Sequence, residues 1–195
     1  MQLENKLSGR KTMFRALLIA GFVICVVLTS GVYAQDAAQK TRELVAALDK
    51  TKYKKKEKKD IKIEIYVDVK NEAVVKQNPA EYSGRYESLE PGYSLEIRVG
   101  QDGTATGSGY DTTNGDDSRK MDFTLKDAHV EGALLTAIKV YENGQTEKLQ
   151  AVFSERTVSR GTNPSNVETT DSKYGIGFIQ SSGSWTNRVF LEFRQ

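Results

Sequence analysis

From Tyr82 onward the chain falls into short alternating runs with a tight-turn signal between almost every pair. The runs are Ser83–Ser88, Tyr93–Val99, Gly103–Tyr110, Met121–His129, Ala133–Tyr141, Glu147–Thr157, Tyr174–Gln180 and Arg188–Arg194. Between them stand Glu90-Pro91-Gly92, Gln101-Asp102-Gly103, Thr113-Asn114-Gly115, Glu131-Gly132, Asn143-Gly144 and Ser182-Gly183-Ser184. Asn-Gly and Asp-Gly supply the backbone conformation that a two-residue hairpin needs. Alternation at period two marks half-buried strands. Eight such strands in simple succession close on themselves, because an open sheet would leave two unpaired edges. The expected fold is therefore all-β, an eight-stranded antiparallel up-and-down barrel over 81–195. Thr157–Lys173, polar and containing Pro164, is expected to be its one long loop.

Three segments precede the barrel. Asp36–Asp49 has apolar residues at Ala37, Ala38, Leu44, Val45, Ala47 and Leu48, the spacing of a short amphipathic helix. Seven lysines follow between Lys50 and Lys59. As a functional element they would make a patch for anionic lipid, polysaccharide or nucleic acid; as a structural one they are a solvated spacer. Apart from Tyr53 no aromatic accompanies them, and nucleic acid is not an expected partner. Ile61–Val69 then alternates without a fault, apolar at Ile61, Ile63, Ile65, Val67 and Val69. It is an extra lead-in strand, added to the sheet or covering its edge. The expected organisation is a signal at 1–34, a helical and lysine-rich leader at 35–60, a lead-in strand and linker at 61–80, and the barrel.

The signal reading rests on Lys6, Arg10, Lys11 and Arg15 ahead of an apolar run from Ala16 to Thr29, with the small-residue exit Gly31-Val32-Tyr33-Ala34. Cleavage near Ala34 would place the domain in the periplasm or outside the cell. An uncleaved anchor is the alternative, since 16–34 is nearly long enough to span a bilayer. The only cysteine, Cys25, lies in the apolar run. A cleaved chain has no disulfide, thiolate nucleophile or cysteine metal site. It keeps 24 basic and 25 acidic residues, split between a basic leader and an acidic barrel, in a length suited to one domain.

Gly84-Arg85-Tyr86, Leu95-Glu96-Ile97 and Asp102-Gly103-Thr104-Ala105-Thr106-Gly107 together resemble the opening of calycin-type barrels, the avidin-like and lipocalin-like superfamily. Such barrels begin with a Gly-x-Trp strand; here Tyr86 stands for the tryptophan. Val189–Arg194 is similar to the closing calycin strand, and the resemblance implies a basic residue packed over the first-strand aromatic. Biotin binding is not implied, because Trp185 is the single tryptophan.

In a meander, alternate connections share one mouth, here Leu89–Gly92, Asp111–Lys120, Asn143-Gly144 and Ser181–Asn187. A barrel of this size is filled by its own side chains or holds one small ligand. Calycin-like binders take ligand at this end, so Ser88, Tyr110, Thr112, Asp116 and Trp185 are the candidate ligand-binding residues. Gly107, Gly109, Gly175 and Gly177 favour an open interior, while Phe123, Phe153 and Phe178 could fill it. Asp111–Asp117 is rich in oxygens but fits no calcium-loop pattern. His129, the only histidine, makes neither a zinc site nor a catalytic triad. No catalytic residue, metal ligand or cofactor is assigned. The expected function is non-enzymatic binding of a small apolar or amphipathic ligand. The alternative is an envelope protein-interaction or inhibitor module with a filled barrel, and behind it a carboxylate-based hydrolase.

Overall fold

The computed structural model describes residues 35–58, 61–88, 92–112, 120–182 and 185–194; the proposed signal therefore lies outside the described residues. The chain divides into two compact units, Met1–Ala37 and Ala38–Gln195, and every strand belongs to the second. A helix, α1, spans 35–48. Ten strands follow: β1 (Lys50–Lys58), β2 (Ile61–Ala73), β3 (Gly84–Ser88), β4 (Tyr93–Val99), β5 (Thr104–Thr112), β6 (Lys120–Glu131), β7 (Leu134–Tyr141), β8 (Thr146–Asn163), β9 (Asn166–Ser182) and β10 (Trp185–Arg194).

Strands β3 to β10 form the expected closed antiparallel meander. Each pairs with its neighbour in sequence, and β10 returns to β3 to shut the ring. Among the described residues that closing seam holds three residue pairs: Glu192 with Glu87, Phe193 with Tyr86, and Arg194 with Arg85. Inward positions follow the alternation: Leu95 and Ile97 on β4, Leu135 and Ala137 on β7, Ala151 and Phe153 on β8, Ile176 and Phe178 on β9, Val189 and Leu191 on β10 are all buried.

At the end away from the hairpin mouth, Tyr82 closes the barrel. It ends a 3-10 turn, Pro79–Tyr82, and its ring stacks on Phe153 with centroids 4.1 Å apart. Its hydroxyl accepts from the Lys76 N–H at 2.7 Å and has its own proton shared between the Val74 and Gly132 carbonyls, each at 2.9 Å. Tyr86 donates to the Tyr82 carbonyl at 2.7 Å and meets Phe193 edge-on at 5.3 Å. Phe193, not Arg194, thus covers the first-strand aromatic. Arg194 has the opposite parity and pairs with Glu192 at 3.3 Å on the outer wall. Gly84 is required beside this contact, because the Phe193 ring occupies the place of a Cβ.

Two other expectations change, and one open alternative is decided. Thr157–Lys173 is not a loop but the outer half of a β8–β9 ribbon that turns at Pro164-Ser165. The ladder continues past the ring, with Thr157–Ser172 and Ser159–Thr170 hydroxyl pairs at 2.8 and 3.3 Å. The lead-in strand joins the sheet: β2 pairs with β8 from Tyr66–Gly161 to Ala73–Ser154. The lysine run is likewise a strand, β1, paired with β2 along its whole length. A four-stranded extension, β1–β2–β8–β9, therefore grows from the barrel wall.

The amphipathic helix forms as expected. Leu48 of α1, with Leu44 and Val45, packs on the outward residues Ala133, Val152 and Ile179 in a second, smaller core. Gly177 faces this helix: a Cβ there would lie 2.6 Å from Leu48 Cδ1. Arg188 Nε donates to the Ala47 carbonyl at 2.7 Å and satisfies the helix end.

Candidate functional site

The barrel interior near the mouth holds an ionic cluster among aromatic rings. Alternation along β7 turns Leu135, Ala137, Lys139 and Tyr141 inward, so Lys139 is buried with 1% of its surface exposed. An isolated ammonium could not stay charged there. Two carboxylates hold it: Glu147 Oε2 lies 2.6 Å from Nζ and Asp111 Oδ2 3.5 Å. Glu147 is its cross-strand partner on β8. Tyr141 bridges the acids, 2.7 Å from Asp111 and 2.9 Å from Glu147. The ammonium also lies 5.5 Å from the ring centroids of Tyr93, Phe123 and Tyr141, within cation–π range.

Burial, reinforced by the negative charges of Asp111 and Glu147, holds the Tyr93 phenol far above its ordinary range. Burial is also the main cause for Tyr141, followed by its hydrogen bond to Asp111. Both remain neutral donors. Tyr141 uses its proton, whereas the buried Tyr93 hydroxyl has no partner.

The sequence-expected site residues are dispersed around this centre. Thr112 is buried, and its backbone N–H and Oγ1 both donate to the Gly92 carbonyl at 2.9 Å, tying the β3–β4 connection to β5. Ser88 ends β3, half-buried opposite Tyr93. Tyr110 has outward parity and lines a hollow of about 550 Å³ on the outer wall with Arg85, Glu96 and Asp122; the Lys120 ammonium sits 4.0 Å from its ring centroid. Its neighbour Asp111 is the inward residue. Asp116 and the Trp185 side chain lie outside the described residues; the Trp185 backbone pairs with Ser182. Lys139 and Glu147 were missed, although a lysine on the apolar parity of Leu135, Ala137 and Tyr141 is a readable signal.

The four glycines do not open the interior. Gly107 and Gly109 face inward, where Leu125 and Phe123 come within 3.1 and 2.9 Å of a notional Cβ. Gly175 and Gly177 face out, toward Phe190 and Leu48. Tyr93 contacts Phe178 at 5.1 Å and Phe123 at 5.8 Å. Rings therefore occupy the open half as well as the closed one.

The extension presents two unlike faces. On one, Thr51, Tyr53 and Lys55 stand opposite Asp68, Tyr66 and Glu64. There Lys55 pairs with Glu64 at 3.2 Å, and Tyr53 donates to it at 3.1 Å. The Glu64 hydrogen bond raises the Lys55 pKa. On the other face, Lys50, Lys52 and Lys54 stand opposite Val69, Val67 and Ile65, and Lys56 continues the row. Next to Val67 across β8 stands Arg160. Here the pKa of Lys52 is lowered, first by Lys54 and also by Lys50. Ile65 is half exposed, at 50%.

Among the described residues no group of three His, Cys, Asp or Glu is placed to hold a metal ion, and no helix is long and apolar enough to cross a membrane. The chain matches no family model, no curated protein and no solved structure.

Proposed function

We propose that this is an exported, non-enzymatic binding module that docks on an anionic phospholipid surface through the lysine face of its β1–β2 extension. The filled barrel is the rigid base from which that face projects. One observation carries the reading: the face lines up Lys50, Lys52, Lys54 and Lys56 beside a β-branched stripe, whereas the opposite face pairs its charges internally. Crowded ammonium groups gain from an anionic surface, about 1 kcal/mol per lysine. The exposed Ile65 suits the headgroup–acyl boundary, which an anionic polysaccharide lacks.

Sedimentation with vesicles tests the proposal. Phosphatidylglycerol-containing vesicles should retain the protein, pure phosphatidylcholine should not, and Lys52→Gln/Lys54→Gln/Lys56→Gln should release it. Equal retention on both vesicles would overturn it.

A second reading has one observation in its favour. The partnerless Tyr93 hydroxyl beside Lys139 could accept or donate to a small polar ligand entering the mouth. Native mass spectrometry of protein from its own host would reveal such a cargo as an adduct lost on unfolding.

A further inference from the structure

A crevice of about 290 Å³ opens where the end of α1, β2, β8 and β10 meet. Three cationic side chains line it, Lys50, Arg156 and Arg188, together with the polar Asn71, Thr186 and Asn187. It has room for several waters, each of which takes about 30 Å³ in the liquid.

Arg156 is the residue that needs explaining. It faces Asn71 across the β2–β8 ladder, and its guanidinium lies 5.2 Å from the Phe190 ring centroid. Its Nε is buried with no hydrogen-bond partner. A buried guanidinium N–H without an acceptor is costly, and an unsatisfied group in a native fold points to a missing water or ion. Burial opposes the charge most strongly and the nearby Arg160 adds to that, with Glu192 acting the other way.

The acids nearby are engaged elsewhere. Asp49 accepts from the Asn71 backbone and side-chain amides at 2.7 and 3.2 Å and pairs with Lys70 at 3.8 Å. Glu192 pairs with Arg194. Arg188 is fixed by its bond to the Ala47 carbonyl, and neither acid lines the crevice.

We infer that this crevice is a binding site for a small oxyanion, a phosphate or phosphate ester, with Arg156 as its principal donor and Lys50 and Arg188 supplying further positive charge. A planar guanidinium with a free N–H suits a tetrahedral oxyanion better than a lysine does. Lys50 is shared with the lysine face, but Arg156 and Arg188 are not, and Lys52, Lys54 and Lys56 do not line the crevice.

Titration with inorganic phosphate, followed by amide chemical shifts at constant ionic strength, tests it. Saturable shifts are expected at Asn71 and over 186–190. Arg156→Met, which keeps an apolar stem over Phe190, should weaken phosphate by about ten-fold or more. Lys52→Gln/Lys54→Gln/Lys56→Gln should leave the affinity unchanged. If Arg156→Met does not fold, Arg156→Lys replaces it and should also bind more weakly, having lost the fork. Shifts that never saturate, shifts centred on Lys52–Lys56, or an Arg156 variant with wild-type affinity would each overturn the inference. Competition between inorganic phosphate and phosphatidylglycerol vesicles separates a free anion from a headgroup: vesicles that leave the phosphate affinity unchanged assign the site to the free anion, and vesicles that displace phosphate assign it to a headgroup.

Discussion

Lys139 and Glu147 face one another across the β7–β8 ladder, and their charged atoms lie 2.6 Å apart in the barrel wall. Asp111 completes the site from β5, so the ammonium ties three strands together. Removing one partner of a buried ion pair leaves an uncompensated charge. Lys139→Met should therefore destabilise the fold by about 3–5 kcal/mol. Glu147→Gln should cost less, because that carboxylate is one-third exposed. Adding Asp111→Asn to Lys139→Met should restore part of the loss. Urea midpoints at unchanged slope measure all three, and a near-neutral Lys139→Met would show that the cluster contributes nothing to stability.

Alkali should unfold the protein through its buried phenols. Tyr174 is pushed up to about 12, chiefly by burial, and Tyr82, Tyr86, Tyr93 and Tyr141 are raised for the same leading reason. The folded state then holds protons that the unfolded chain releases. Stability is complete below the unfolded tyrosine value of about 10 and declines as pH climbs from there. Tyrosinate absorbance should show an early reversible phase from exposed phenols and a later cooperative step coinciding with loss of circular dichroism. A single smooth titration with the fold intact would contradict this.

Gly177 is predicted to control the docking of α1. A valine there meets Leu48, and overpacking of this kind costs about 1–3 kcal/mol. The loss should fall on the helix: hydrogen exchange over 38–48 should accelerate while β4 and β7 stay protected. Leu48→Ala should relieve part of the effect of Gly177→Val. An equal slowing or acceleration across the whole barrel would disprove this local coupling.

The lysines of β1 also guard an edge. Among the described residues their strand pairs only with β2, and its outer side offers unpaired backbone groups to another chain. Lys52→Thr/Lys54→Thr/Lys56→Thr removes the charge and raises strand propensity. Size-exclusion chromatography should then show concentration-dependent dimers in excess of any formed by the unaltered protein. Persistent monomer at all concentrations would show that charge is not what protects this edge.

The barrel was legible because recognisable turns separate runs of period two, as on β4, where the buried Leu95 and Ile97 alternate with Ser94, Glu96 and Arg98. The extension was not, for two reasons. Residues 50–56 are exposed on both faces, so β1 carries no hydrophobic period and stands only through its ladder to β2. The outer β8–β9 ribbon is polar apart from Val158 and Val167 and is likewise held by backbone pairing, while Pro164 at its tip gave a loop signal. Parity explains the rest. A one-residue difference decides between Phe193 and Arg194, or Tyr110 and Asp111, as the inward side chain. Lys139 was readable from its place in the β7 alternation, but its two acid partners came from strands whose register no local pattern fixes.

Seven of the eight ring junctions join strands adjacent in the chain; the eighth brings β10 back to β3 across roughly a hundred residues, and among the described residues three pairs fasten it. Closing a loop of that length carries an entropic cost that the local hairpins escape. During synthesis the sheet can curl strand by strand, yet it keeps two raw edges until Phe193 leaves the ribosome and settles against Tyr86. The wall and the latch are thus built at different times, and a nascent chain stalled before β10 would expose both edges of the sheet to any neighbour with a strand to spare.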